Sequence, residues 1–234
     1  MTKITEAQIN KVIEKLFHLN AHLGHKKNRL HPRAKKFVYQ IIDGTTIIDL
    51  VKTVELLEKA KEFLKKLAKE NKKIVVVATK KNLSALIKKI CQKNNISYLT
   101  NKWPAGFLTN FNTLLKNIKK LKKMNEEKQT GQWSQFVKHE QVKLNKILNR
   151  LTRLYDGVVN LEKIPDALVI VDSKKEKTAL KEACRMRIPV IAIVDTNINP
   201  DPISYPIPAN DDSLEAVEYL INELISSYQT KKND

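Results

Sequence analysis

Apolar positions change period several times along the chain, and those changes mark out its elements. In "ITEAQINKVIEKLFHLNAH", Ile9, Val12, Ile13, Leu16 and Phe17 recur at spacings of three and four, which predicts an amphipathic helix. "FVYQIIDGTTIIDL" carries two apolar runs around Asp43-Gly44, the composition of a hairpin turn. A second helix follows in "VKTVELLEKAKEFLKKLAKEN", where Val54, Leu57, Phe63, Leu64 and Leu67 form one stripe. "KIVVVAT" is then an unbroken β-branched run between polar residues, as expected of a strand buried on both faces. The helix "NLSALIKKICQKN", a strand near "SYL", the strand "DALVIVD", the helix "KEKTALKEACRM" and the strand "IPVIAIVD" continue the series. A last helix is predicted in "NDDSLEAVEYLINELI", with Asn210, Asp211 or Asp212 as its N-cap.

Strands alternating with helices indicate βαβ units, hence an α/β fold: a parallel-sheet, three-layer domain of the flavodoxin or Rossmann kind. One segment breaks the alternation. Asn112 to Asp156 has no strand-like run, but Leu114, Leu115, Ile118 and Leu121 make one helical stripe. After the polar break "KQTGQWSQ", Leu144, Ile147, Leu148, Leu151 and Leu154 make a second. Two such helices predict an inserted antiparallel coiled-coil hairpin. The expected organisation is residues 1–111 and 157–228 for the α/β domain, 112–156 for the hairpin, and a short tail at 229–234.

Charge sharpens this picture. The 234 residues carry a formal net charge of +18, unevenly spread. Asn71 to Asn125 holds thirteen lysines and no acid, and Lys15 to Ile42 holds seven basic residues and no acid. Ile188 to Thr230 holds seven acids and no Lys or Arg. Solvated faces intersperse the two signs, so this segregation points to a polyanionic partner. An AT-rich gene inflates lysine, asparagine and isoleucine, but does not remove acids from the same stretch. Cys91 and Cys184 lie far apart and outside any CxxC spacing, which argues against a disulfide framework or structural zinc. No apolar run approaches the roughly 20 residues that span a bilayer, and "MTKITEAQINKVIEKLF" reads as neither a secretory nor a transit segment.

Enzyme motifs are mostly missing. Gly24, Gly44, Gly106, Gly131 and Gly157 are isolated, so neither a dinucleotide fingerprint nor a P-loop is present. "VATKKN" does put Thr79, Lys80 and Lys81 between a strand and a helix, where free backbone N–H groups favour phosphate. The alternative is a capped helix with solvated lysines. His18, His22 and His25 could share a metal, with Asp195 or Asp211 approaching His22 in space, though their sequence neighbours include no cysteine or carboxylate. Ser84 and Ser173 lie in no nucleophile elbow.

"NKWPAGFLTNFNT" resembles a signature of bacterial-type small-subunit ribosomal protein two, the "S two" family. "HLGHKKNRLHPRAKKFVY", "TIIDLVKTVELLEKA", "VATKK", "IPDALVIVD", "IPVIAIVDTNINPD" and "IPANDD" are similar to further motifs of that family, in its order, up to about Tyr228. The resemblance implies an α/β domain with a protruding coiled-coil hairpin, bound to ribosomal RNA between the head and body of the small subunit. It also implies help in docking the mRNA-binding protein "S one", no enzymatic activity, and in some members a zinc ion. Pro104-Ala105 departs from the family's usual Leu-Gly, Leu30-His31 from Trp-Asn, and Asn20 from a glycine. The Lys- and Asn-rich composition, "IPANDD" and "TALKEA" look more like plastid members, with a bacterial or mitochondrial origin as alternatives.

The expected function is therefore a structural one: a ribosomal protein holding small-subunit RNA mainly through phosphates. Its expected contacts are Lys26, Lys27, Arg29, Arg33, Lys35 and Lys36; Thr79, Lys80 and Lys81; and Lys102, Trp103, Asn110, Lys116, Lys119, Lys120 and Lys123. Trp103-Pro104 is expected to fix a rigid corner, anchored by Phe107, Leu108 and Phe111. Trp103 itself either joins the core or stacks on an unpaired base. The acidic C-terminal third is expected to face solvent or a basic neighbouring protein. The rivals are a doubly wound enzyme binding a phosphorylated metabolite at Thr79–Lys81, and a DNA-coating protein.

Overall fold

The computed structural model describes residues 6–229, so the first residues of the expected opening helix and residues 230–234 of the expected tail lie outside it. Helix α1 (Glu6–His18) leads into a small antiparallel sheet of β1 (Leu23–Lys26), β2 (Val38–Ile42) and β3 (Thr45–Ile48), in the order β1-β3-β2. Asn20, between α1 and β1, has φ +59°, a left-handed conformation that asparagine tolerates better than most residues. The Asp43-Gly44 turn joins β2 to β3 with positive φ at both residues, as a tight hairpin requires.

Helix α2 (Leu50–Lys69) is capped by Asp49, whose carboxylate accepts from the N–H groups of Val51 and Lys52. It leads to the main sheet of β4 (Ile74–Val77), β5 (Ser97–Leu99), β6 (Ala167–Ile170), β7 (Val190–Val194) and β8 (Tyr205–Pro208). All neighbours pair in parallel in the order β5-β4-β6-β7-β8. Helix α3 (Lys81–Lys93) joins β4 to β5; α4 (Phe111–Gln129) and α5 (Lys138–Tyr155) lie between β5 and β6; α6 (Lys177–Arg185) follows β6, and α7 (Leu214–Gln229) follows β8.

The β-branched runs are explained by burial on both sides. Ile74, Val76, Val169 and Ile191 face one cluster with α2, α3 and α7, while Val75, Val77, Leu168 and Ala192 face another with α4, α5 and α6. Sheet and helices thus make three layers. β8 is a strand the periodicity did not predict, because "YPIP" holds two prolines; at an edge a strand tolerates the missing donors. β1, "LGHK", has no apolar alternation and gave no strand signal either. Ser213, and not Asn210, Asp211 or Asp212, caps α7: its hydroxyl accepts from the Ala216 N–H and its carbonyl from Val217.

The corner before α4 is held by a residue from α6. The Glu182 side chain is buried, and its Oε1 accepts from Trp103 Nε1 at 3.1 Å and the Gly106 N–H at 2.8 Å. Its Oε2 accepts from the Leu108 N–H at 3.0 Å. Trp103 packs edge-on against Phe107, which meets Phe111 in the same way, so the corner is an aromatic wedge in the core. A buried carboxylate is tolerable here because three donors replace its water shell. Replacing Glu182 with Ala leaves those donors unsatisfied. Urea unfolding should show a loss of about 3 kcal/mol, with Glu182→Gln in between; a change under about 0.5 kcal/mol would remove Glu182 from this role.

Candidate nucleic-acid interface

Strand order places the reversal of winding between β4 and β6, where doubly wound folds bind ligands beyond the carboxyl ends of the strands. The expected phosphate loop Thr79–Lys81 lies there, and the structure corrects two of its three residues. Thr79 donates both its N–H and its hydroxyl to Glu176. Lys80 Nζ meets Asp212 at 2.6 Å, Asp211 at 3.0 Å and Asp172 at 3.7 Å. Burial alone would favour the neutral amine, but the bonds to Asp212 and Asp211 override it and hold the Lys80 pKa above the ordinary lysine value. Burial also pushes Asp211 up to about 6, with Asp172 adding to the rise. Around Lys80 the crevice is therefore filled by the chain's own ion pairs, whose carboxylates repel phosphate, while its β5 side, around Lys81, stays open. Lys81 alone of the three is exposed and unpaired among the described residues.

The N-terminal basic segment runs through two short 3-10 turns, Lys27–Arg29 and Pro32–Phe37. His31 starts the second, accepting from the Arg33 N–H through Nδ1, while Ala34 and Phe37 turn inward. That leaves Lys26, Lys27, Arg29, Arg33, Lys35 and Lys36 exposed. Asp201 neutralises part of the set, lying 3.5 Å from Arg33 and 3.3 Å from Lys36. The segment is fastened at β1, where the His25 N–H bonds Thr196 Oγ1 and the Thr46 hydroxyl bonds the His25 carbonyl. Gly24 is needed for that approach: a Cβ there would lie 2.5 Å from Thr46 Oγ1 and 2.8 Å from Thr196 Cγ2.

α4 and α5 pack side by side in opposite directions: Lys128 reaches Asn145, and Asn117 and Lys120 share a groove with Arg150 and Leu154. Phe111, Ile118, Leu121 and Met124 face inward with Leu148 and Tyr155, and Trp133 is buried in the connection between the helices. Lys116, Lys119, Lys120 and Lys123 are exposed, spanning about 100° of arc at roughly 3.6 residues per turn. Lys123 pairs loosely with Glu127 at 3.7 Å, and the other three have no ion pair among the described residues. Asn110 is exposed at the N-cap of α4, its side chain making no capping bond, and Lys102 is exposed beside the corner. Of its two expected readings, Trp103 takes the core one: it is 7% exposed and its indole N–H lies on Glu182. Sequence reasoning missed the basic residues of α5. Lys138, Lys143, Lys146, Arg150 and Arg153 are exposed, and residues 111–155 carry eleven Lys and Arg against three acids, a signal present in composition.

The metal idea is also corrected. Asp195 meets His25, not His22: His25 Nδ1 lies 2.7 Å from Asp195 Oδ2, and its Nε2 lies 2.8 Å from Asn197 Nδ2. His22 instead stacks on Phe17, its Nδ1 buried without a partner. No group of three His, Cys, Asp or Glu among the described residues could hold a metal ion. Nor does the acidic C-terminal third simply face outward. Asp195, Asp201, Asp211, Asp212 and Glu223 are paired with His25, Arg33 and Lys36, Lys80 and Lys61 of the basic half.

These features define a class: a three-layer α/β protein whose crevice is filled around Lys80 by internal ion pairs and whose unpaired cations include a row on a helix pair. The ribosomal protein S2 family model matches residues 16–230. The chain is 38% identical over 213 residues to the small ribosomal subunit protein uS2 of Dictyoglomus thermophilum, covering 91% of this chain and 87% of that one. It is 36% identical over 218 residues to that of Karelsulcia muelleri (93% and 98%), and 35% over 221 residues to that of Dehalococcoides mccartyi (94% and 90%). The chain belongs to the ribosomal protein S2 family.

Two predictions follow from the crevice. Lys80→Met leaves Asp172, Asp211 and Asp212 without their cation, so stability at neutral pH should fall by about 3 kcal/mol in urea unfolding; unchanged stability with weakened RNA binding would restore Lys80 to the RNA-binding set. Because the Asp211 pKa is raised from 3.8 to about 6, the folded state keeps a proton in that window that the unfolded chain has released. This contribution is fully present below 3.8 and is lost as pH rises to about 6. Melting temperature against pH should be flatter across that window in Asp211→Asn than in wild type, and equal slopes would show that Asp211 carries no such shift.

Proposed function

We propose that the chain is a structural constituent of the small ribosomal subunit and holds small-subunit ribosomal RNA by phosphate contacts. The observation that carries this reading is the set of exposed α4 lysines, Lys116, Lys119 and Lys120, with no carboxylate partner among the described residues. A solvated helix face is normally interspersed with acids. Here the apolar stripe turns inward and the outer face carries no acid before Glu126, so its lysines can displace counterions from a phosphate backbone without reading bases. Lys26, Lys27, Arg29, Lys35, Lys81 and Lys102 extend the surface, and the α5 cations widen it. Recognition is by RNA shape, since the deep major groove of an RNA duplex hides its base edges.

Family membership supports the ribosomal role, and the family is structural, not enzymatic. The metabolite-binding reading loses two of its three residues, Thr79 to Glu176 and Lys80 to Asp172, Asp211 and Asp212, and no observation favours a DNA-coating role. On this reading the helix pair of residues 112–156 is a separate RNA-reaching unit, and the protein works on the ribosome. Plastid origin is supported by the Lys- and Asn-rich composition, against three relatives that are bacterial. A role in docking "S one" is supported by the sequence resemblance alone.

Reversing Lys116, Lys119 and Lys120 to glutamate tests the RNA surface. Incorporation into small subunits should fall, and the slope of log affinity against log salt should drop by roughly one unit for each phosphate no longer neutralised. Normal incorporation with an unchanged slope would reject α4 as an RNA-binding face.

A further inference from the structure

A second basic feature is concave. Beyond the carboxyl ends of β5, β4 and β6, three adjacent strands, lies an open cleft of about 630 Å3. Lys102 enters it from the segment after β5, Lys81 from the segment after β4, and Lys175 from the segment after β6. All three are exposed and without an ion pair among the described residues. The Lys175 backbone is fixed in place, since its N–H donates to Asp172 Oδ1 at 2.9 Å. The one acid lining the cleft, Glu176, is engaged by the Thr79 N–H and hydroxyl, and its burial raises its pKa. Apolar atoms of Pro104, Ala105 and Leu154 line the same space.

We propose that this cleft seats one unpaired nucleotide of ribosomal RNA, its phosphate among Lys81, Lys102 and Lys175 and its base against Pro104, Ala105 and Leu154. The inference rests on the RNA-binding reading above and adds a site to it. Three lysines entering from separate strand ends can meet a phosphodiester anion from more than one side, whereas a ridge of lysines on a helix meets it only from one. The volume falls within the roughly 300–1,000 Å3 of ordinary ligand pockets, enough for a base and sugar. A continuous duplex keeps its bases stacked inside and brings none to an apolar wall, whereas a splayed nucleotide does. Sequence reading placed Lys81 and Lys102 in separate motifs and left Lys175 out, because only the sheet order brings the three together.

Photo-crosslinking in assembled small subunits tests this. p-Benzoylphenylalanine replaces the exposed Ala105 in one variant and Lys119, on α4, in another. The expected result is a crosslink from position 105 to a single unpaired nucleotide, reduced at least about fivefold by Lys175→Glu. The cleft proposal is overturned if position 105 reaches a paired nucleotide, another protein or nothing while position 119 crosslinks to RNA, or if Lys175→Glu leaves the yield unchanged. Silence at both positions would overturn the wider RNA-binding reading as well.

Discussion

One buried carboxylate sets the geometry on which everything outside the sheet depends. Glu182, on α6, takes the indole N–H of Trp103 and the backbone N–H groups of Gly106 and Leu108, so the chain leaving β5 must turn before α4 begins. The turn is over-determined. Proline at 104 restricts the preceding residue, Gly106 has φ +84°, and the aromatic edges of Trp103, Phe107 and Phe111 fill the space beneath. A helix launched from such a corner has a fixed direction, and its inward stripe runs on into the core cluster. The lysines on its outer face are thereby aimed without needing partners of their own.

Charge is sorted in the same way across the chain. Acids of the C-terminal third reach back to His25, Arg33, Lys36, Lys61 and Lys80, neutralising cations near the sheet. Of the thirteen lysines between Asn71 and Asn125, Lys72, Lys80, Lys88 and Lys123 have carboxylate partners. The remainder are not scattered evenly, and α4 with the cleft beside its root holds Lys81, Lys102, Lys116, Lys119, Lys120 and Lys122. Internal pairing thus concentrates a net charge of +18 into a directed field. The ion pairs in the crevice between β4 and β6 are part of this arrangement: Asp172, Glu176, Asp211 and Asp212 hold the chain's own Thr79-Lys80 loop.

The alternation of β-branched runs with amphipathic helices was legible because strands buried on both faces leave no polar positions to confuse the pattern. β8 and β1 were not, since the prolines at 206 and 208 and the Gly24-His25 pair suit an edge or a close approach but imitate loop composition. The same distinction divides the site. Lysines on one helix face can be read from spacing, and Lys116, Lys119 and Lys120 stand exposed as their spacing of three and four requires. Thr79 and Lys80 could not be judged that way, because their partners lie 97 and 131 residues further along. Position after a strand suggested phosphate, and only the fold shows that carboxylates already occupy the place. His25 replaced His22 beside Asp195 for a related reason: Asp195 lies 170 residues beyond His25, so spacing along the chain could not choose between the two rings.

The central claim is that two kinds of lysine coexist here, one kind satisfied by the chain and the other by RNA. Amine acylation read lysine by lysine by mass spectrometry, on the free protein and on assembled small subunits, tests it most directly. The account predicts that Lys116, Lys119 and Lys120 react in the free protein and are protected in the subunit, while Lys80 is unreactive in both. Equal reactivity of the three α4 lysines in both states would contradict it.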